Sequence, residues 1–243
     1  GPTGSGKSTT LHSFLQTIAI PTKNIITIED PVEYKADNIN QIQVNNKVGL
    51  TFSTGLRSVL RQDPDIIMVG EIRDHETATI SIQSALTGHL MLSTLHTNNA
   101  AATITRLMDM GIESFLLSSS LIGVLSQRLV RILCDCKEES GVDELNSILK
   151  KSNLLERYKT NKIYREKGCP KCNFTGYLKR RAIGELFIMN DEIKEMIAKG
   201  SNEIELKYKM IENGMKTLKE NLVELILSGE TSLNEAIRVG LKD

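Results

Sequence analysis

The first eight residues, Gly1-Pro2-Thr3-Gly4-Ser5-Gly6-Lys7-Ser8, fit the pattern G-x-x-x-x-G-K-[ST] in full, and a helix-forming stretch over residues 8–17 follows directly. That pattern demands a strand, a tight turn and a helix in succession. The glycines let the backbone turn its N–H groups inward as an anion nest, Lys7 reaches the β- and γ-phosphates of a nucleotide, and the Ser8 hydroxyl ligates Mg²⁺ at a helix N-terminus. Gly1, Thr3, Gly4, Ser5, Gly6, Lys7, Ser8 and Thr9 are therefore the candidate nucleotide-binding residues for ATP, with Ser8 also the candidate Mg²⁺ ligand. The alternative, a Gly-rich turn that matches by chance, has to explain why spacing, lysine, hydroxyl and following helix all agree. Residue 1 already lies inside the loop, so its supporting strand is expected to precede it and the chain reads as a fragment, with slower hydrolysis expected than in a complete protein.

Alternating strand and helix signals continue downstream. Residues 25–28 and 66–69 are short, apolar and β-branched, as buried parallel strands are, and residues 90–95 form a third candidate. Residues 8–17, 54–61 and 75–86 have helical spacing between them, which predicts a doubly wound α/β domain. Beyond Ala100 the texture turns helical, interrupted by the cysteine-bearing segment 134–176, and residues 181–186 are the only further strand expected. The expected organisation is an ATPase core over 1–130, a cysteine-bearing, zinc-binding subdomain over 131–180 and a helical region over 181–243.

In an α/β sheet, ligands bind beyond the carboxyl ends of the strands, so acidic groups there can meet Mg²⁺ or an attacking water. Thr27-Ile28-Glu29-Asp30-Pro31-Val32-Glu33-Tyr34 follows the first strand, and Asp63-Pro64-Asp65-Ile66-Ile67-Met68-Val69-Gly70-Glu71-Ile72-Arg73-Asp74 contains the second. The second reads as a Walker B in which Glu71 holds the Mg²⁺ shell, polarises water, or both. A solvated strand end is the bland reading for Glu71, and an N-cap or surface charge is that for Glu33. Gly88-His89-Leu90-Met91-Leu92-Ser93-Thr94-Leu95-His96-Thr97-Asn98 ends the third strand, where His96 either senses the γ-phosphate or is structural. Arg57, Arg61 and Arg73 read as ion-pair partners near these strand ends.

Thirty Lys and Arg balance thirty Asp and Glu, which removes the global positive field that would hold nucleic acid and disfavours a DNA translocase. The longest uncharged greasy stretch, 114–127, is shorter than the roughly 20 residues of a bilayer-spanning helix, so no such span is expected. Four cysteines form two close pairs, Cys134-Asp135-Cys136 and Cys169-Pro170-Lys171-Cys172, with Gly176 placed as a knuckle turn requires. They predict structural Zn²⁺, against metal-free reduced thiols in a small helical hairpin or a disulfide.

These boxes in this order resemble the secretion ATPase superfamily of type II secretion and type IV pilus assembly motors. Gly1 to Ser8 match its Walker A, Thr27 to Tyr34 its Asp box, Asp63 to Asp74 its Walker B and Thr87 to Asn98 its His box. Gly214-Met215-Lys216-Thr217-Leu218 and Gly229-Glu230-Thr231-Ser232 resemble its closing helical segment, although Glu220-Asn221-Leu222 stands where an Asp-Gly pair is common. Assembly members carry C-x-x-C at both cysteine positions, whereas the first pair here is C-x-C. The resemblance implies a RecA-like P-loop ATPase core with Glu71 as general base, Glu33 as a carboxylate near Mg²⁺ or water, and His96 against the γ-phosphate. It further implies arginines from a preceding domain, a homohexamer, and a cytoplasmic position at the inner membrane, reached through a polytopic platform protein and not by direct insertion. A pilus-retraction motor is the alternative within the superfamily, disfavoured because that branch usually lacks the cysteines. A nucleotide-binding scaffold without useful turnover is the alternative outside it.

Overall fold

In the computed structural model, which describes residues 1–151, 154–158 and 160–242, the chain forms two compact units. The first comprises Gly1–Ser126 with Leu186–Met215, and the second Gln127–Glu185 with Lys216–Asp243.

The first unit is built on a parallel sheet of β1 (Ile25–Glu29), β2 (Asn40–Gln43), β3 (Ile66–Val69) and β4 (Leu90–Ser93), in the order β2-β1-β3-β4. Every residue of β1 and β3 is buried, because both faces of the sheet are covered. Alternate side chains divide between those faces. Ile26, Ile28, Ile67 and Val69 pack with Phe52, Leu56 and Val59 of α2 (Phe52–Val59) and Ile80 of α3 (His75–Leu86). On the other face Ile25, Ile66 and Met68 meet Leu11, Leu15 and Ile18 of α1 (Lys7–Ile18). Leu15 is fully buried there, and its truncation to alanine would cost about 2–5 kcal/mol. The expected strands and helices of this α/β core are thus observed. The edge strand β2, Asn-Gln-Ile-Gln, lacks the apolar signature of a strand because it is half exposed.

A third cluster of the same unit joins α3 to α4 (Ala100–Asp109), α5 (Ser114–Ser120), α7 (Asp191–Ala198) and α8 (Glu203–Glu212) through Ile104, Leu117, Ile193, Leu206 and Met210. No helix among the described residues is long and apolar enough to cross a membrane.

The strand expected at 181–186 is observed as the longer β8 (Tyr177–Ile188), but the reading of the other residues beyond Ala100 as helical is corrected by a second long strand, β5 (Gly123–Leu133), which pairs with it. β5 escaped because Gly-Val-Leu-Ser-Gln-Arg-Leu-Val-Arg-Ile-Leu places its apolar residues in pairs, a spacing that fits a helix as well as a strand. The unit boundary falls within both strands. The second unit adds a short antiparallel pair, β6 (Glu138–Ser140) with β7 (Ile163–Arg165), and packs α6 (Asp143–Lys151), α9 (Leu218–Leu227) and α10 (Leu233–Val239) around Val130, Leu145, Leu149, Ile163 and Ile226. Residues 181–243 divide between the units, α7 and α8 lying in the first, α9 and α10 in the second.

Candidate functional site

Parallel register brings the candidate residues together. Ile28 pairs with Val69 and Val69 with Ser93, so the chain leaves β1, β3 and β4 at one level, and Glu29, Gly70 and Thr94 stand side by side. The Gly70 N–H donates to Ile28 O at 2.8 Å, and Thr94 Oγ1 donates to Gly70 O at 2.7 Å. A Cβ on Gly70 would meet Ile28 O at 3.3 Å and Glu29 Cα at 3.5 Å, so the close approach of β1 and β3 favours glycine.

The phosphate-loop sequence lies at the same edge. The Gly1 backbone nitrogen donates to Leu95 O, just past β4, at 3.1 Å. Gly4 and Gly6 have φ of 75° and 88°, and Gly6 opens α1. No side chain makes an N-cap hydrogen bond to this helix and its first turn carries no acidic residue, so no carboxylate of that turn offsets the positive end of its dipole. Lys7 Nζ donates to Gly1 O and Pro2 O at 2.9 and 3.0 Å, which draws the ammonium back over the loop.

Beyond β3 the chain turns sharply, because Asp74 caps α3 by accepting from Thr77 N at 2.8 Å. The turn leaves Glu71 and Arg73 at the strand end, where their side chains pair. Hydrogen bonding to Glu71 first, and the charge of Asp30 in addition, raise the Arg73 pKa above its ordinary value. The second Glu71 oxygen lies 3.3 Å from His96 Nε2. Asn99 caps α4 from Ala102 N at 2.7 Å and so ends the segment that presents His96. Of the three candidate catalytic residues, the structure joins Glu71 with His96, while Glu33 lies exposed in the connection from β1 to β2. Arg57 pairs with Glu76 at 2.9 Å. A carboxylate held between an imidazole and a guanidinium, beside a nest of backbone N–H groups, can orient a water against an anion.

Sequence reasoning missed a buried polar cluster behind these groups. Glu29, which ends β1, is 4% exposed and lies against His12, Thr27 and Gln41. The available signal was a carboxylate closing an otherwise apolar buried strand, which must find donors or be neutralised.

In the second unit, all four cysteines are free and their sulfurs lie within 4.8 Å of one another. The sulfurs of Cys134 and Cys169, of Cys136 and Cys172, and of Cys169 and Cys172 are 3.8, 3.9 and 3.8 Å apart. A tetrahedral ion with sulfur ligands at about 2.3 Å has edges of about 3.8 Å, so the unbonded thiols fit zinc. The shortened C-x-C pair still reaches this arrangement. Gly176 closes the second knuckle with φ of 78°, donating its N–H to Cys172 Sγ at 3.2 Å. Burial alone would raise the Cys172 thiol, but N–H groups of Cys169 and Gly176 and the neighbouring thiols bring it down to about 6. Burial pushes Cys136 up to about 12, the neighbouring thiols adding to it against an N–H from Gly168.

A parallel sheet with a G-x-x-x-x-G-K-S turn opening a helix at its carboxyl edge defines the P-loop class of α/β domain. The chain belongs to the type II/IV secretion system protein family, whose model matches residues 1–238. It is 50% identical over 244 residues to the type II secretion system ATPase E of Vibrio cholerae, with 98% of this chain and 47% of that protein covered. It is 53% identical over 239 residues to the type IV pilus assembly ATPase PilB of Thermus thermophilus, covering 98% of this chain and 27% of PilB. The chain thus spans less than half the length of these relatives. Among solved structures it is similar to the pilus retraction motor PilT with bound ADP, at a TM-score of 0.72 and 31% identity over 98% of this chain and 59% of that one.

Proposed function

We propose that this chain is the ATP-hydrolysing part of a motor for type II protein secretion or type IV pilus assembly. The observation that carries this reading is the convergence at one sheet edge of a phosphate-loop sequence, with its uncapped helix, and the Glu71–His96 pair. Gly1, Thr3, Gly4, Ser5, Gly6, Lys7, Ser8 and Thr9 are the residues proposed to hold ATP, Lys7 neutralising phosphate charge and the Ser8 hydroxyl ligating Mg²⁺. Bound Mg²⁺ would supply charge neutralisation at the transferring phosphoryl group. Glu71 acts as general base, taking the proton of a water whose oxygen bonds to the γ-phosphorus as the bond from that phosphorus to the ADP oxygen breaks. Glu33 assists from the β1–β2 connection, and His96 orients Glu71 and contacts the γ-phosphate. Cys134, Cys136, Cys169 and Cys172 hold structural Zn²⁺ and so tie the two ends of a segment of more than thirty residues.

The names of the Vibrio and Thermus relatives support secretion or pilus assembly, and the retraction alternative has the likeness to PilT in its favour. As in the superfamily the chain resembles, the motor works as a homohexamer at the cytoplasmic face of the inner membrane, against a polytopic platform protein. The neutral charge balance disfavours nucleic acid as its track. Phosphate release from ATP tests the reading: Mg²⁺-dependent turnover that Lys7→Ala abolishes is expected. Nucleotide binding without turnover in the wild type would instead mark a scaffold.

A further inference from the structure

We propose that His12 is a positioning residue for ATP hydrolysis, a role that rests on the ATPase reading above. It locks the β1–β2 connection, which carries Glu33, against the helix that follows the phosphate loop.

His12 lies in α1, five residues after Lys7, and is 5% exposed. Its Nε2 stands 2.9 Å from Glu29 Oε2. A carboxylate oxygen accepts, which places the imidazole proton on Nε2. Nδ1 is buried without a hydrogen-bond partner, so Nε2 alone anchors the ring by a polar contact. The other Glu29 oxygen accepts from Thr27 Oγ1 at 2.7 Å and from Gln41 Nε2 at 3.0 Å. Gln41 Nε2 also donates to Tyr34 O at 2.8 Å, and Gln41 Oε1 accepts from Ala36 N at 2.9 Å. A hydrogen-bonded path therefore runs from α1 through Glu29 and Gln41 to two backbone groups flanking residue 35. The His12 ring makes a second contact with the same connection, edge-on to Tyr34 with ring centroids 5.7 Å apart.

Glu33 immediately precedes Tyr34 in a connection that is otherwise largely exposed. Without His12, that segment would lose its ring contact to α1, and Glu29 would lose the donor to its Oε2, keeping only those of Thr27 and Gln41 on Oε1. A displacement of about 1 Å at a reacting group can cost on the order of 10² in rate while leaving ground-state binding nearly intact. The phosphate loop itself is untouched, so binding and turnover separate.

The test measures Mg-ADP affinity and ATP turnover for the wild type, His12→Phe and His12→Gln, with nitrogen NMR of the imidazole in the nucleotide-free protein. His12→Phe keeps a ring beside Tyr34 and removes the donor; its kcat is expected to fall by about ten- to a hundredfold with Kd changed less than about threefold. His12→Gln restores a donor and is expected to recover most of kcat. Unchanged kcat in His12→Phe, parallel loss of kcat and affinity, or no recovery in His12→Gln would overturn the role. If His12→Phe does not fold, Tyr34→Leu, which leaves all Glu29 donors in place, carries the test: lowered kcat at unchanged Kd supports the proposal and unchanged kcat overturns it. A proton found on Nδ1 and not Nε2 would overturn the geometry whatever the kinetics. Absence of Mg²⁺-dependent turnover in the wild type would remove the ATPase reading and this role together, whereas normal wild-type turnover with unaffected variants removes this role alone.

Discussion

Replacing Glu235 by glutamine should remove an identifiable part of the acid sensitivity of the second unit. Glu235 sits in α10 with no exposed surface, and both its oxygens are occupied by arginine donors. Arg131 reaches it through its backbone N at 2.9 Å, Nε at 2.9 Å and a terminal nitrogen at 2.7 Å, and Arg238 adds bonds of 2.7 and 2.6 Å. Burial opposes the charged form, but the Arg238 and Arg131 hydrogen bonds overcome it and bring the carboxyl from an ordinary 4.5 down to about 2. At about 1.4 kcal/mol for each pH unit, that lowering corresponds to about 3 kcal/mol of stability. The sign follows from the depressed folded-state value. The contribution is complete above the unfolded value near 4.5, shrinks as pH falls below it, and is gone by about pH 2. Urea unfolding at a series of pH values, followed by a probe in the second unit, reads it. The stability difference between wild type and Glu235→Gln should be largest near pH 7 and narrow by about 3 kcal/mol between pH 5 and pH 2. A difference that does not change with pH would refute the charge-based account and leave only packing.

The cysteine cluster predicts about one zinc per chain by elemental analysis of protein purified without chelator, with metal–sulfur distances of about 2.3 Å by X-ray absorption; metal-free protein of wild-type stability would contradict it. Gly176→Ala should destabilise the second unit by at least about 1–3 kcal/mol in thermal unfolding, since its φ is 78° and the new Cβ would lie 2.5 Å from Glu166 Cβ. Wild-type melting of that variant would show that the knuckle does not need its turn.

The centre of the α/β core was legible because β1 and β3 are short β-branched runs buried on both faces, and the helices that cover them have the matching period. Glu71 could be found because it follows such a strand, and His96 because it follows the apolar, half-buried β4; parallel register then aligns the strand ends. Where residues serve two environments the pattern failed. β2 is a polar edge strand whose Gln41 is spent on side-chain bonds, and β5 has an apolar spacing without a single period. His12 was invisible for a related reason: a histidine in a helix shows no partner until the end of β1 is brought against it. The cysteine pairs announced themselves by spacing, but only the folded positions of Cys134 and Cys136 show that C-x-C still closes the tetrahedral set.

The central claim, that the strand-end carboxylate Glu71 performs the chemistry while the loop performs the binding, is tested most directly by comparing nucleotide affinity with turnover in Glu71→Gln. The substitution keeps size and one acceptor oxygen but cannot take a proton from water. ATP affinity is expected to remain within a few-fold of wild type while turnover at saturating Mg-ATP falls by about 10² to 10⁴. Equal loss of affinity and turnover, or turnover that survives, would contradict the account and return Glu71 to the role of a partner for Arg73 and His96.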